Sequence, residues 1–191
     1  MHWNVQGAVD SWSSNRAEIF ILPLISLGIV ALFHVLPRLD PRLRKTLQKR
    51  DRMNSALQIA CVAFVALFDM ILADQLTTEF GHPIVNGQIM TACLLIVFAI
   101  IGNYLGTMRP NYFVGLRTPW TLESEATWRA THRLGGRLMF FGALLLVMLD
   151  FFLSQSTLVF LLITFVLLFC IWTFVYSWRH FRTHDAMRET L

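Results

Sequence analysis

Charge is what this chain has least of. Only 15% of its 191 residues are Asp, Glu, Lys or Arg, where an ordinary soluble domain carries about 25%. The deficit excludes a soluble domain, because 55% of the residues are hydrophobic and gather into runs near the bilayer-spanning length of about 20 residues. Cysteine is scarce too. Cys61, Cys93 and Cys170 lie far apart inside apolar runs. With no CxxC and no Cys/His ligand spacing, neither a disulfide frame nor a zinc site is supported, and the three read as small apolar side chains in helix packing. Residues 1–18 lack a basic segment followed by an apolar core, which excludes a signal peptide. There is no HExxH, no phosphate-binding glycine loop and no nucleophile–base pair, so no enzyme class and no cofactor is indicated. The net charge of +4 is no sign of nucleic-acid binding, since basic residues in a membrane protein first report topology.

What is present is five apolar runs, at about 19–36, 55–76, 88–105, 138–153 and 157–178. They predict an all-α integral membrane protein, one bundle of five transmembrane helices over 19–178 plus a short cytoplasmic interfacial helix. Residues 1–18 form an extracytoplasmic segment, 106–137 a long cytoplasmic loop and 179–191 a cytoplasmic tail. Pro23 is tolerable near a helix start, and Pro37 is expected to stop the first run.

The placement of the cations gives the orientation. All 16 Lys and Arg fall outside the five runs. Seven follow run one, five follow run three (Arg109, Arg117, Arg129, Arg133 and Arg137), three lie in the tail, and Arg16 precedes run one. The connections after runs two and four have none. By the positive-inside rule the N-terminus is outside and the C-terminus cytoplasmic, in a multi-pass protein of a cytoplasmic membrane.

Three carboxylates interrupt the apolar runs: Asp69 and Asp74 in run two, Asp150 near the end of run four. A charge at mid-bilayer costs roughly 2.5–3.5 kcal/mol on insertion scales, so each needs a partner or water. They read either as a proton relay or polar cavity, or as residues near the interface, with Asp69 the deepest. His34 reads as a helix-end residue. His180 and His184 share a helix face and could bind a metal, but no third ligand is near, so no metal is assigned and an exposed polar tail is the simpler reading.

The most informative stretch is 102–136, GNYLGTMRPNYFVGLRTPWTLESEATWRATHRLGG. Asn111, Gly115 and Pro119 punctuate it as turns do. Glu123 and Glu125 suit a helix start, Arg129 and Arg133 a helix end, and Gly135-Gly136 can terminate it. A helix over 121–134 is therefore expected at the cytoplasmic interface, with Trp120 and Trp128 at headgroup depth and arginines toward anionic phospholipid headgroups. It either anchors the bundle or forms a cup in which Arg109, Arg117, Arg129, Arg133 and His132 hold an anionic group or meet a protein partner.

The same string resembles the signature of the SdpI-type immunity protein family of bacterial membrane proteins. The pieces are Gly102-Asn103-Tyr104, Arg109-Pro110-Asn111-Tyr112-Phe113, Gly115, then Arg117-Thr118-Pro119-Trp120-Thr121-Leu122, Trp128, Thr131-His132-Arg133 and Leu134-Gly135-Gly136. Ahead of them His2-Trp3-Asn4, Gly7 and Asp10 resemble the HWN-x-x-G-x-x-D module that opens such proteins. In the family a transmembrane helix precedes HWN. This chain opens one residue before it, so a first inward-starting helix is expected to be missing. The resemblance implies immunity to a secreted antimicrobial peptide toxin in a bacterial inner membrane. It also implies a signalling role, in which the toxin-bound protein holds a repressor at the membrane. The outer segment and outer carboxylates would then meet a toxin, and the cytoplasmic loop would dock the repressor. The alternative is a small transporter or lipid-handling protein using Asp69 and the arginine cup, and a membrane enzyme acting on a phospholipid ranks last.

Overall fold

The computed structural model describes residues 2–4, 9–11, 17, 20–39, 52–79 and 87–189. Gly7, most of the basic connection after run one and the turn at 80–86 lie outside the described residues, as do the side chains of His2, Trp3, Asp10, His34 and His184. The chain is built from helices: α1 (Ile21–Leu39), α2 (Arg52–Glu79), α3 (Gly87–Leu105), α4 (Pro119–Glu123), α5 (Glu125–Asp150) and α6 (Gln155–Glu189). Among the described residues the one sheet is an antiparallel ribbon of β1 (His2–Trp3) and β2 (Val9–Ser11), with His2 opposite Ser11, Trp3 opposite Val9 and a register shift between them.

Among the described residues three helices are long and apolar enough to cross a membrane: Gly87–Leu105, Glu125–Asp150 and Gln155–Thr183, with mean hydropathy 1.9, 1.4 and 2.9. Nineteen residues of α3 rise about 28 Å, close to the hydrocarbon thickness. The surface of these helices carries large apolar side chains, among them Phe141, Met148, Phe160, Leu168 and Ile171. Exposure on that scale is stable only against lipid. α3 packs mainly on α5, α5 on α6, α2 on α3 and α1 on α2. Leu95, Leu146 and Leu158 from α3, α5 and α6 meet in a buried cluster with Leu162 and Phe165 around it.

Two expectations of helix ends are corrected. Pro37 does not stop α1, which continues to Leu39. Gly135-Gly136 does not end a short interfacial helix. α4 closes at Glu123, and α5 then runs unbroken from Glu125 through both glycines to Asp150. The reason is packing. A Cβ on Gly136 would lie 2.7 Å from the Gly102 carbonyl oxygen, and a Cβ on Gly102 would lie 2.6 Å from the Phe140 amide nitrogen. The glycines let α3 and α5 cross backbone to backbone, as small residues do between membrane helices. α6 carries the first residues of the tail as helix to Glu189.

At the other end of this three-helix unit Gln155 Nε2 donates to the Thr91 hydroxyl (2.7 Å) and the Gly87 carbonyl (3.2 Å). Asp150 is buried, with Oδ1 lacking a hydrogen-bond partner among the described residues. In α2 it is Asp74 that is buried, while Asp69 is exposed.

Candidate functional site: the loop between α3 and α5

Local sequence explains why residues 106–124 hold one shape. Asn111 is 2% exposed and uses its whole amide. Its Oδ1 accepts from the N–H of Phe113 (2.9 Å) and Val114 (2.7 Å), and its Nδ2 donates to the carbonyls of Arg109 and Val114 (both 3.0 Å). This is the local side-chain-to-backbone bonding for which Asn is chosen at turns. Thr118 then caps α4. Its hydroxyl accepts from Thr121 N–H (3.3 Å), Thr121 Oγ1 accepts from Thr118 N–H (2.9 Å), and Pro119 takes the first helical turn, where a missing N–H costs nothing. Ser124 ends α4 and caps α5 by accepting from Thr127 N–H (3.3 Å).

The centre of the loop is a stacked pair. Trp128 and His132, one turn apart on α5, have ring centroids 4.0 Å apart and planes 17° apart, and both are 0% exposed. Trp128 Nε1–H donates to the Met108 carbonyl (2.8 Å). His132 Nδ1 lies 2.9 Å from the Trp128 carbonyl, and His132 Nε2 accepts from Leu116 N–H (3.0 Å). Nε2 can accept only if it carries no proton, so the ring is the neutral Nδ1–H tautomer. Gly115 makes the approach possible. It has φ +119°, and a Cβ there would collide with His132 Nε2 and stand 3.3 Å from Trp128.

Three contacts fasten this unit to α6. Thr118 donates to Ser177 Oγ (2.9 Å), Trp120 meets Phe174 edge to face at 5.0 Å, and Thr127 Oγ1 lies 3.2 Å from His180 Nδ1. Thr131 Oγ1, also buried, is without a partner among the described residues.

The residues singled out from the sequence therefore separate into two sets. Asn111, Trp128 and His132 are buried, and Thr118 and Trp120 are half-buried against α6. Arg109, Tyr112, Phe113, Arg117, Pro119, Arg129 and Arg133 are exposed, and Pro110 is half-buried. His132 and the arginines consequently do not face one space: the ring is enclosed, with both nitrogens bonded to backbone. Trp128 is likewise enclosed inside the loop. Arg129 pairs with Glu125 at 3.5 Å, both largely exposed, an i, i+4 pair of small energetic weight. Asn103 is exposed beside Arg133 in a cleft between α3 and α5.

Sequence reading missed Ser177, Thr127 and the Gly102–Gly136 crossing. The first two carried no signal, because single hydroxyls in helices are common. The glycines carried one, a small residue on each of two consecutive apolar helices. His180 faces Thr127, and among the described residues no three His, Cys, Asp or Glu side chains gather as metal ligands would.

A family comparison falls on this same region. The family described as SdpI/YfhL protein family matches residues 107–177, from the start of the loop to the α6 residue that holds Thr118. "Immunity protein SdpI" of Bacillus subtilis (strain 168) is 24% identical over 186 residues, covering 93% of this chain and 84% of that one. No solved structure matches. The locked loop, α5 and the α6 residue on which the loop docks are thus the part of the molecule that resembles the SdpI/YfhL protein family.

Proposed function

We propose that this chain is a non-enzymatic immunity protein of a bacterial inner membrane that protects its cell from a secreted antimicrobial peptide toxin. The observation that carries the reading is similarity along nearly the whole chain to a protein named for immunity, together with a family match over 107–177 that includes a loop whose interior is fixed and whose arginines face outward. In this reading α1 to α3, α5 and α6 are five spans, with the N-terminal ribbon outside and the loop and C-terminus in the cytoplasm, as the cation distribution asks. The ribbon and the outer ends of α2 and α5 meet the toxin. The face bearing Arg109, Tyr112, Phe113 and Arg117 is the docking site for a repressor held at the membrane.

Two measurements test it. Toxin-sensitive cells expressing the chain survive a challenge that kills control cells; equal killing overturns the immunity role. Arg117→Ala leaves membrane insertion intact and lowers co-purification of the repressor at least about tenfold, the loss of one charge-assisted contact. A second reading, a small transporter or lipid-handling protein, draws on the burial of Asp74 and Asp150. It requires a proton-dependent flux that Asp69→Asn or Asp74→Asn abolishes, whereas an immunity protein needs no flux.

A further inference from the structure

Between α3 and α5, beside the Gly102–Gly136 crossing, two clefts meet. One, of about 300 Å³, lies at the loop end and is lined by Asn103, Gly106, Arg133, Arg137, Phe140 and Phe141. The other, of about 420 Å³, runs down the same seam between Ile96, Ile100, Leu144 and Val147. Asn103 and Phe140 line both, so the seam is continuous. Its chemistry changes along its length. The loop end presents two guanidinium groups one turn apart on α5, both exposed, with the Asn103 amide across from them. The lower part is wholly aliphatic and aromatic. From Asn103 to Ile96 it follows α3 for about 10 Å, roughly half the length of an acyl chain. Among the described residues Arg133 and Arg137 have no carboxylate partner, and Arg133 reaches only the Arg129 carbonyl (3.5 Å).

We propose that this seam binds one phospholipid, its phosphodiester held by Arg133, Arg137 and Asn103 and one acyl chain laid along Ile96, Ile100, Leu144 and Val147. Charge complementarity selects the occupant. A peptide or a second copy of the chain would have to satisfy paired arginines with carboxylates while threading an apolar strip. A phospholipid carries an anion and a hydrocarbon chain joined at this spacing, and two arginines suit phosphate oxygens geometrically. The proposal rests on the reading that α3 and α5 span the bilayer, which puts the arginines at headgroup level.

The test is lipid retention by the full chain purified in mild detergent and measured by native mass spectrometry, with thermal stability alongside. Wild type retains one phosphatidylglycerol per chain and is stabilised by added phosphatidylglycerol. Arg133→Gln/Arg137→Gln retains it about tenfold less, the loss expected for two phosphate contacts, while Arg133→Lys/Arg137→Lys restores part of it. Ile100→Trp, which fills the strip and keeps both arginines, also lowers retention. Arg117→Gln, away from the seam, does not. Equal retention by the double Gln variant overturns the site, as does stabilisation by inorganic phosphate alone to the same extent. Should the Gln variant fail to fold, undiminished retention by Ile100→Trp overturns it as well. If these variants fractionate with membranes and protect cells but retain lipid like wild type, the lipid site falls and the immunity reading stands. If wild type does not fractionate with membranes, both fall.

Discussion

At the scale of single residues, His132 sets the most direct expectation. It is buried as a neutral ring that accepts a backbone N–H. His132→Leu removes that acceptor and leaves the Leu116 N–H unpaired inside the loop, which should lower stability by about 1–3 kcal/mol in thermal unfolding in detergent. Gly115→Ala acts at the same spot. The positive φ and the collision with His132 together cost about 2 kcal/mol or more and open the Leu116 bond. A thermal midpoint equal to wild type would contradict the described packing.

At the scale of elements, the question is what a glycine does in an apolar helix. Gly135-Gly136 read as a stop because such pairs end helices in water. In lipid a helix keeps its backbone bonds, and the glycines serve close approach instead. Gly102→Val should therefore separate α3 from α5, lower stability by about 1–3 kcal/mol and expose the loop to protease, whereas valine at Gly28, with open space around it, should not. The helices themselves were legible in the sequence, since apolar runs of bilayer length leave few alternatives. The turn at Asn111 was legible in part, as was the importance of the loop; the break at Ser124, inside the helix expected over 121–134, was not. Nor was the interior of the loop. Trp128 and His132 were visible as one helix face, but that the face points inward depends on Leu116 and Met108, brought there by a turn whose geometry Gly115 allows. The carboxylates show the same limit: run two gave two candidates, and only the packing of α2 selects Asp74 as the buried one.

At the scale of the whole molecule, the orientation is testable apart from any function. A cysteine placed at Arg117 in a chain whose three native cysteines are replaced by alanine should be shielded from an impermeant maleimide in intact cells and label after permeabilisation. Labelling in intact cells would reverse the orientation and, with it, the assignment of toxin-facing and repressor-facing sides. Five spans also require α2 to cross with Asp74 inside the bundle, which the same labelling at 80–86 would check from the opposite side.

α6 holds no proline and no glycine over its 35 residues, so it has no built-in bend. Gln155 ties its first turn to α3, and Phe174, Ser177 and His180 tie it to the loop, 22 residues and about 33 Å from Gln155 to Ser177. In the proposed orientation that places one unbroken helix between the α3 contact on the outer side of the lipid and the arginine-bearing turn on the inner side, so a tilt imposed at Gln155 would be felt at Ser177 without any hinge between them.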